Sequence, residues 1–174
     1  MDQNWKLLIT GELRELRHNC KFTSHAHLKK ATAFEPYRKY ADIIIGAGST
    51  LIATSPIVAR LTKSPQYYFV ALFGAIFSAV AYNSKQQFVN LPKKEGNKWL
   101  RLYSEATLLR NEILSTPSKF TSEHAGYEIH QLKQKYKNLC DESHPTEEYY
   151  YKQACDDLNV NFEQQDIAYE ESFF

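Results

Sequence analysis

Hydrophobic residues are concentrated in two blocks near the middle of the chain, and polar residues dominate on either side. The first block, residues 43–59, reads IIIGAGSTLIATSPIVA, and the second, residues 67–82, reads YYFVALFGAIFSAVAY. Neither block contains a charged side chain, and the break between them is RLTKSPQ. A helix of about 17 residues is roughly 25 Å long, close to the ~30 Å hydrocarbon thickness of a bilayer. The pattern therefore predicts two membrane-spanning helices joined by a short turn.

The segments before the first block and after the second follow helical periodicity. Over residues 4–40 the pattern predicts one or two amphipathic helices with an apolar stripe interrupted at Gly11, and a boundary or kink at Pro36. That stripe consists of Leu7, Leu8, Leu13, Leu16 and Cys20. After the second block, Pro92 and Gly96 predict a connector. From residue 97 a helix is predicted that carries on one side Trp99, Leu102 or Tyr103, Ala106, Leu109 and Ile113.

A further helix is predicted after Thr121, whose side chain is suited to capping its N-terminus. Its apolar residues repeat at near-heptad spacing, which is typical of a narrow seam that pairs with another helix. We interpret this seam as an oligomerisation surface, formed by Ala125, Ile129, Leu132, Tyr136 and Leu139. A short helix from about residue 146 to 158 follows Pro145, and the last residues are acidic with isolated aromatics.

These elements predict an all-α fold, a two-helix transmembrane hairpin with amphipathic cytosolic helices before and after it, in an oligomer. The expected organisation is an N-terminal amphipathic and basic segment (1–40), the transmembrane hairpin (41–84), a cytosolic helical region (97–158) and an acidic tail (159–174). The alternative is a soluble helical bundle whose central pair is buried. A chain of this size offers few amphipathic helices to surround such a pair.

Charge distribution predicts the orientation of the hairpin. Basic residues precede the first block at Lys29, Lys30, Arg38 and Lys39, and follow the second at Lys85, Lys93, Lys94, Lys98 and Arg101. The turn offers only Arg60 and Lys63. The positive-inside rule then places both termini in the cytoplasm. Tyrosines at the block ends fit either an interfacial aromatic belt or ordinary packing.

Small and hydroxyl-bearing residues are spaced regularly inside the blocks. Gly46, Thr50 and Thr54 lie four apart with Ser49 beside them, and Gly74 and Ser78 are likewise four apart in the second block. Two interpretations stay open: close helix–helix packing with hydroxyls bonded to neighbouring carbonyls, or a water-filled path through an oligomer.

Two further residues of the first block are candidates for a functional role. Pro56 removes a helix hydrogen bond and predicts a kink that can serve as a hinge. Asp42, at the entry of the block, is expected to pair with Arg38 or to stay solvated as an interfacial charge.

Composition narrows the classes of function. The chain has 174 residues and a net charge of +1, which argues against a dedicated nucleic-acid binder. The three cysteines, Cys20, Cys140 and Cys155, match no metal or disulfide pattern. The histidines and cysteine near residues 18–27 lack metal-site spacing. No catalytic motif stands out, so we expect no enzyme, no cofactor and no metal.

The order of parts resembles the SLATT family, two-transmembrane effector domains associated with bacterial nucleotide-signalling conflict systems. The resemblance covers roughly residues 20–158: the basic helix CKFTSHAHLKKATAFEPYRKY, the hairpin, WLRLYSEATLLRNEIL and IHQLKQKYKNLCDESHPTEEYYYKQACDDL. Tyr103, the Asn111-Glu112-Ile113 stretch, Pro145 and a last helix ending near Ala154 follow the family's order. Pro56 and the acidic tail have no place in that pattern.

The resemblance implies a membrane-perturbing or pore-forming effector of the bacterial inner membrane. Such effectors act in antiphage defence by abortive infection. A cognate sensor or nucleotide-synthase partner would supply the signal, and the lipid bilayer would be the target. The alternatives are a membrane scaffold or adaptor that makes no pore, and a soluble helical interaction module.

Overall fold

The computed structural model describes residues 3–116 and 119–158, and every regular element in these two ranges is helical. The predicted acidic tail lies outside the described residues. The helices are α1 (Gln3–Thr62), α2 (Gln66–Lys85), a π-helical turn (Gln86–Asn90), α3 (Leu91–Ser115), α4 (Ser122–Glu142) and α5 (Glu148–Leu158). The all-α prediction is confirmed for this part of the chain.

Two compact units make up the chain. One, the packed unit, combines Met1–Lys29 with Lys94–Phe174; the other, the apolar unit, is Lys30–Lys93. Both predicted blocks lie in the apolar unit. The amphipathic stripes that surround the blocks in sequence belong mainly to the packed unit.

Helix α1 is a single helix through Pro36, where the sequence predicts a boundary or kink. A proline removes one donor from the helix ladder, and the loss is tolerated where packing holds the flanking turns. Here the Phe34 ring lies 5.1 Å from the Phe88 ring and 5.8 Å from the Tyr37 ring, centroid to centroid. The Phe34 ring thus contacts the π-helical turn and also reaches across the proline to Tyr37 in the continuing helix.

The predicted connector at Pro92 is wrong, because this segment is helical. Proline cannot donate to the carbonyl four residues back, and its ring would collide with that carbonyl in a regular α-helix. A π-turn relieves the conflict just before the proline: the Leu91 N–H bonds to the Gln86 carbonyl, five residues back. The wider turn adds one residue to the helix, which then continues as α3.

Gly96, the second connector signal in the sequence, lies inside α3 at a close contact with α1. A Cβ at this position would lie 2.9 Å from Leu28 Cγ and 3.1 Å from the Ser24 carbonyl oxygen. The buried Ser24 hydroxyl donates to the Gly96 carbonyl at 2.8 Å. Glycine is therefore required at this position because α1 and α3 approach each other closely, and the chain makes no turn here.

One apolar core holds the packed unit together. It joins residues of α1, α3, α4 and the segment before α4: Ile9, Leu13, Leu16, Cys20, Trp99, Leu102, Ala106, Leu109, Ile113, Phe120, Ala125, Ile129 and Leu132. The predicted apolar side of α3 is confirmed and lies in this core. On α1 the prediction is partly wrong, since Leu7 and Leu8 are exposed and Ile9 is buried instead. Ile9 precedes Leu13 by four residues and so shares its face.

The near-heptad seam of α4 lies inside this core. Ala125, Ile129 and Leu132 are buried, and Tyr136 and Leu139 pack against the core. The Tyr136 ring meets the buried Trp99 ring edge-on at 5.4 Å. In this conformation the partner helices of the seam are therefore those of the same chain, and the seam is not exposed for a second subunit. The predicted Thr121 cap is confirmed, because its Oγ1 accepts the His124 N–H at 3.2 Å.

We predict opposite effects of alanine at two helical glycines of the packed unit. Gly96→Ala should lower the free energy of unfolding by about 1–3 kcal/mol, because its Cβ meets Leu28 and the Ser24 backbone. In Gly126→Ala, in α4, the added methyl group has no neighbour within 4 Å. This variant should raise the free energy of unfolding by up to about 1 kcal/mol through its higher helix propensity. Denaturant unfolding of both variants measures the difference. Equal shifts would contradict the close contact at Gly96.

Candidate functional site

Two helical stretches are long and apolar enough to cross a membrane, Trp5–Thr62 and Gln66–Ser115. Core helices of soluble proteins meet the same criteria of length and composition, so burial has to separate the two cases. Only 17% of the most apolar stretch of the first helix is buried, and 11% of that of the second. Within one chain these helices are exposed, unlike core helices.

The exposed surface of the apolar unit consists of large hydrophobic side chains. On α1 they are Ile43, Ile44, Leu51, Ile52, Ile57 and Leu61; on α2 they are Phe69, Val70, Leu72, Phe73, Ile76, Phe77 and Val80. Monomeric soluble proteins rarely expose apolar patches of this extent, and such patches mark membrane or protein contact sites.

Helices α1 and α2 contact each other through small residues. A Cβ on Gly48 would collide with Ser78 Oγ and lie 2.5 Å from the Gly74 carbonyl oxygen. A Cβ on Gly74 would lie 2.9 Å from the Gly48 carbonyl oxygen. Only glycine at both positions permits this approach. The other buried residues of the pair are also small: Ala41, Ser55, Ala59 and Ala81.

The structure separates the predicted small-residue positions into two groups. Gly74 and Ser78 lie at the α1–α2 contact, whereas a Cβ added to Gly46 would meet nothing within 4 Å and would face open space. The sequence pattern missed Gly48, which makes the contact. Its signal is the seven-residue spacing of Ala41, Gly48 and Ser55, the buried face of α1.

The hydroxyls of the predicted α1 face are exposed and bond within the helix. Ser49 Oγ donates to the Ile45 carbonyl at 2.7 Å, and Thr50 Oγ1 to that of Gly46 at 3.0 Å. Thr54 Oγ1 donates to the Thr50 carbonyl at 2.8 Å. These bonds use the hydrogen of each hydroxyl group, while the oxygen atom can still accept a hydrogen bond from outside the helix. This face therefore takes no part in packing against α2.

Of the two expectations for Asp42, pairing with Arg38 is wrong, whereas its side chain is half exposed, as a solvated charge would be. Its carboxylate accepts from Lys85 Nζ at 2.5 Å, and Arg38 bonds Glu35 at 2.8 Å instead. The pairing partner lies at the end of α2, which sequence spacing within α1 could not reveal. Asp42 and Lys85 thus form a charge pair between the two helices at one end of the apolar stretch.

Pro56 lies within α1, six residues before its end, and the helix continues through it to Thr62. The turn that follows is short, with Lys63 in the left-handed region at φ 54° and α2 beginning at Gln66. A role of Pro56 as a hinge stays a prediction.

A groove between α3 and α4 brings several charged side chains of the packed unit together. It has a volume of about 330 Å³ and is lined by Lys98, Arg101, Leu102, Glu105, Lys135, Asn138, Leu139 and Glu142. Lys135 Nζ donates to Glu105 Oε2 at 2.7 Å, and Arg101 Nε to Oε1 at 3.3 Å. The hydrogen bond from Lys135, with its charge and that of Arg101, lowers the pKa of Glu105 against the opposing effect of burial.

Cys20 and His27, near the N-terminus, lie in the interior of the packed unit. Among residues 3–116 and 119–158, no three His, Cys, Asp or Glu side chains are grouped to hold a metal ion. Cys20 is a buried free thiol, and burial together with Cys140 raises its pKa to about 12. The buried His27 ring bonds Thr146 Oγ1 at 2.9 Å, which ties the segment before α5 to α1.

Comparison with models of known protein families, with curated proteins and with solved structures gives no match for this chain. What the chain does is therefore inferred from its own residues and their geometry.

We predict that two glycines of the apolar unit differ in their tolerance of alanine. Gly48→Ala should destabilise the α1–α2 contact by about 1–3 kcal/mol or more, because the added methyl meets Ser78 and the Gly74 backbone. Gly46→Ala is the matched control, with the same gain in helix propensity and open space around the methyl. Unfolding in detergent micelles by increasing dodecyl sulfate measures both. A less stable Gly46→Ala variant would contradict this geometry.

Glu105 should make the packed unit more sensitive to acid. Because its folded pKa is lowered, the ionised form stabilises the folded state above the unfolded pKa, and this stabilisation is lost as pH falls through the folded pKa. Thermal unfolding of the wild type and Glu105→Gln should differ at pH 7, and the difference should disappear as the pH falls through the lowered folded pKa of Glu105. A constant difference between the two proteins across this range would exclude the ionised carboxylate as the cause.

Proposed function

We propose that this protein is a membrane-perturbing or pore-forming effector, built on a transmembrane hairpin of α1 and α2 and controlled through its cytosolic helices. The observation that carries the proposal is the exposed apolar surface of the helix pair, in a chain whose other unit has an ordinary apolar core. Burying one large apolar side chain is worth about 1.5–3 kcal/mol. An outer surface of such residues is far more stable in lipid than in water.

The contact between the two helices supports a membrane setting. In lipid, helices gain little from burying apolar surface, and small residues promote association by letting backbones approach. Gly48 and Gly74 make such an approach, while the bulky side chains point outward. A soluble helix pair of this size would usually place the large side chains between its helices instead.

The outer surfaces of the two helices differ, which supports an oligomer. That of α2 carries bulky residues such as Phe73 and Phe77, suited to lipid. The α1 face opposite the contact carries Gly46, Ser49 and Thr50, with acceptor lone pairs available. We propose that copies assemble with the Gly46–Thr54 part of this α1 face toward other protein or water and with α2 toward lipid, so that a path for ions can form. Tyr40 and Ile43, which lie earlier on α1, stay in contact with lipid.

The proposal also covers the orientation of the hairpin in the membrane and the signal that activates the effector. By the positive-inside rule, the basic residues around the hairpin support an orientation with both termini in the cytoplasm and the turn at Lys63 outside. The resemblance to SLATT effectors supports a role in antiphage defence by abortive infection, at the inner membrane. A sensor or nucleotide-synthase partner would act on the cytosolic helices, where the groove between α3 and α4 is one cleft that it could occupy.

Induced expression should collapse the membrane potential of bacterial cells, measured with a voltage-sensitive dye. Thr50→Leu, which removes an outward hydroxyl and fills space, should abolish most of the depolarisation. Leu72→Ile on the exposed surface of α2 is the control and should depolarise like the wild type. All three proteins are first quantified in the membrane fraction.

An unchanged potential, with wild-type protein present in the membrane, would overturn the effector proposal and favour a membrane scaffold. Equal depolarisation by Thr50→Leu and the wild type would leave the effector role intact and remove α1 from the ion path.

A further inference from the structure

A groove runs along α1 just before the first apolar block. It has a volume of about 580 Å³, and its lining residues all come from one helix: Thr32, Glu35, Pro36, Lys39, Tyr40 and Ile43. Their spacing of three or four places them on one face. Phe34, which contacts the Phe88 ring at 5.1 Å, and the buried Ala41 mark the side of α1 that is covered. The groove lies on the uncovered side.

The groove is divided into a polar and an apolar part. Thr32, Glu35 and Lys39 line the part toward the N-terminus, whereas Tyr40 and Ile43 line the part where the apolar block begins. Tyr40 is 66% exposed and Ile43 is 67% exposed. An occupant that matches both parts must carry a polar group at one end and an apolar segment at the other.

Charge selects the polar group of that occupant. Glu35 is compensated by Arg38 at 2.8 Å on the same turn. Within the described residues the Lys39 ammonium has neither an ion pair nor a hydrogen bond, so it contributes an unneutralised positive charge to the groove. An anion is therefore the complementary ligand.

We propose that this groove binds the headgroup of an anionic phospholipid, with Lys39 Nζ on the phosphate and the first acyl segment over Tyr40 and Ile43. The proposal rests on the membrane location of the apolar unit. Lysine side chains next to a membrane are attracted to the negative charge of anionic lipids. The tyrosine ring, amphipathic in character, suits the boundary between headgroups and acyl chains.

Two other occupants fit the groove less well. A free phosphate would leave the apolar part of the groove exposed to water. A second copy inserted in the same direction about a two-fold axis would bring Lys39 against the partner's Lys39, since such an interface presents the same patch from both chains. Like charges opposed in this way are unfavourable. A phospholipid satisfies both parts of the groove.

Native mass spectrometry of the full-length protein tests the assignment. The protein is released from micelles that contain equal amounts of phosphatidylglycerol and phosphatidylcholine, and retained lipids are counted. We expect several-fold more phosphatidylglycerol than phosphatidylcholine on the wild type and loss of that preference in Lys39→Gln. Lys63→Gln, which removes the same charge at the turn, should retain it. Glu35→Gln should bind phosphatidylglycerol at least as well as the wild type.

Three results would overturn the inference. Equal retention of both lipids by the wild type excludes a selective headgroup site. Equal preference in the wild type and Lys39→Gln excludes Lys39 as its ligand. Protein dimers that strengthen in Lys39→Gln, without lipid adducts, assign the groove to a second copy. Lipid retention is measured without a membrane potential. If the protein fails to depolarise cells, the mass spectra therefore still test the lipid site independently of the effector proposal.

Discussion

The apolar unit depends on the contact between the backbones of Gly48 and Gly74. Neither position accepts a methyl group without a clash, so the distance between α1 and α2 is set by glycine. With the interior occupied by small residues, the large apolar side chains have no place between the helices and point outward. The exposed surface that suggests a membrane is thus a consequence of how the helices pack.

A membrane setting for α1 and α2 also accounts for the charged residues at one end of this helix pair. Asp42 and Lys85 bond each other where the apolar stretch begins, so neither charge needs water alone as its partner. A carboxylate is costly in lipid and tolerable at its surface. Lys39, one turn before Asp42, has no ion pair within the described part of the chain and is therefore available to a lipid headgroup.

Sequence patterns predicted those features of this fold that depend on residue periodicity. The apolar side of α3, the Thr121 cap and the short last helix follow from local rules, and the structure confirms them. The patterns failed where a residue serves a distant partner. Gly96 and Pro92 signal a connector locally, but one is required by the neighbouring Ser24 and the other is accommodated by a π-turn.

The candidate site shows the same limit. A spacing of four singled out Gly46, Thr50 and Thr54, whereas the contact uses the seven-residue spacing through Gly48. Both patterns coexist in one helix, and only the position of α2 decides which of them is buried. Similarly, the near-heptad spacing of the α4 seam predicts that α4 packs against another helix. The spacing alone does not say whether that helix belongs to the same chain, as it does here.

Membrane insertion of α1 and α2, on which the proposed function rests, is tested by fractionation of cells that express the protein. Membranes are washed with alkaline carbonate and then extracted with detergent. We predict that the protein stays in the carbonate-washed pellet and is released only by detergent. Recovery of folded protein in the aqueous fraction without detergent would contradict membrane insertion and would identify the apolar helices as a contact surface for other proteins.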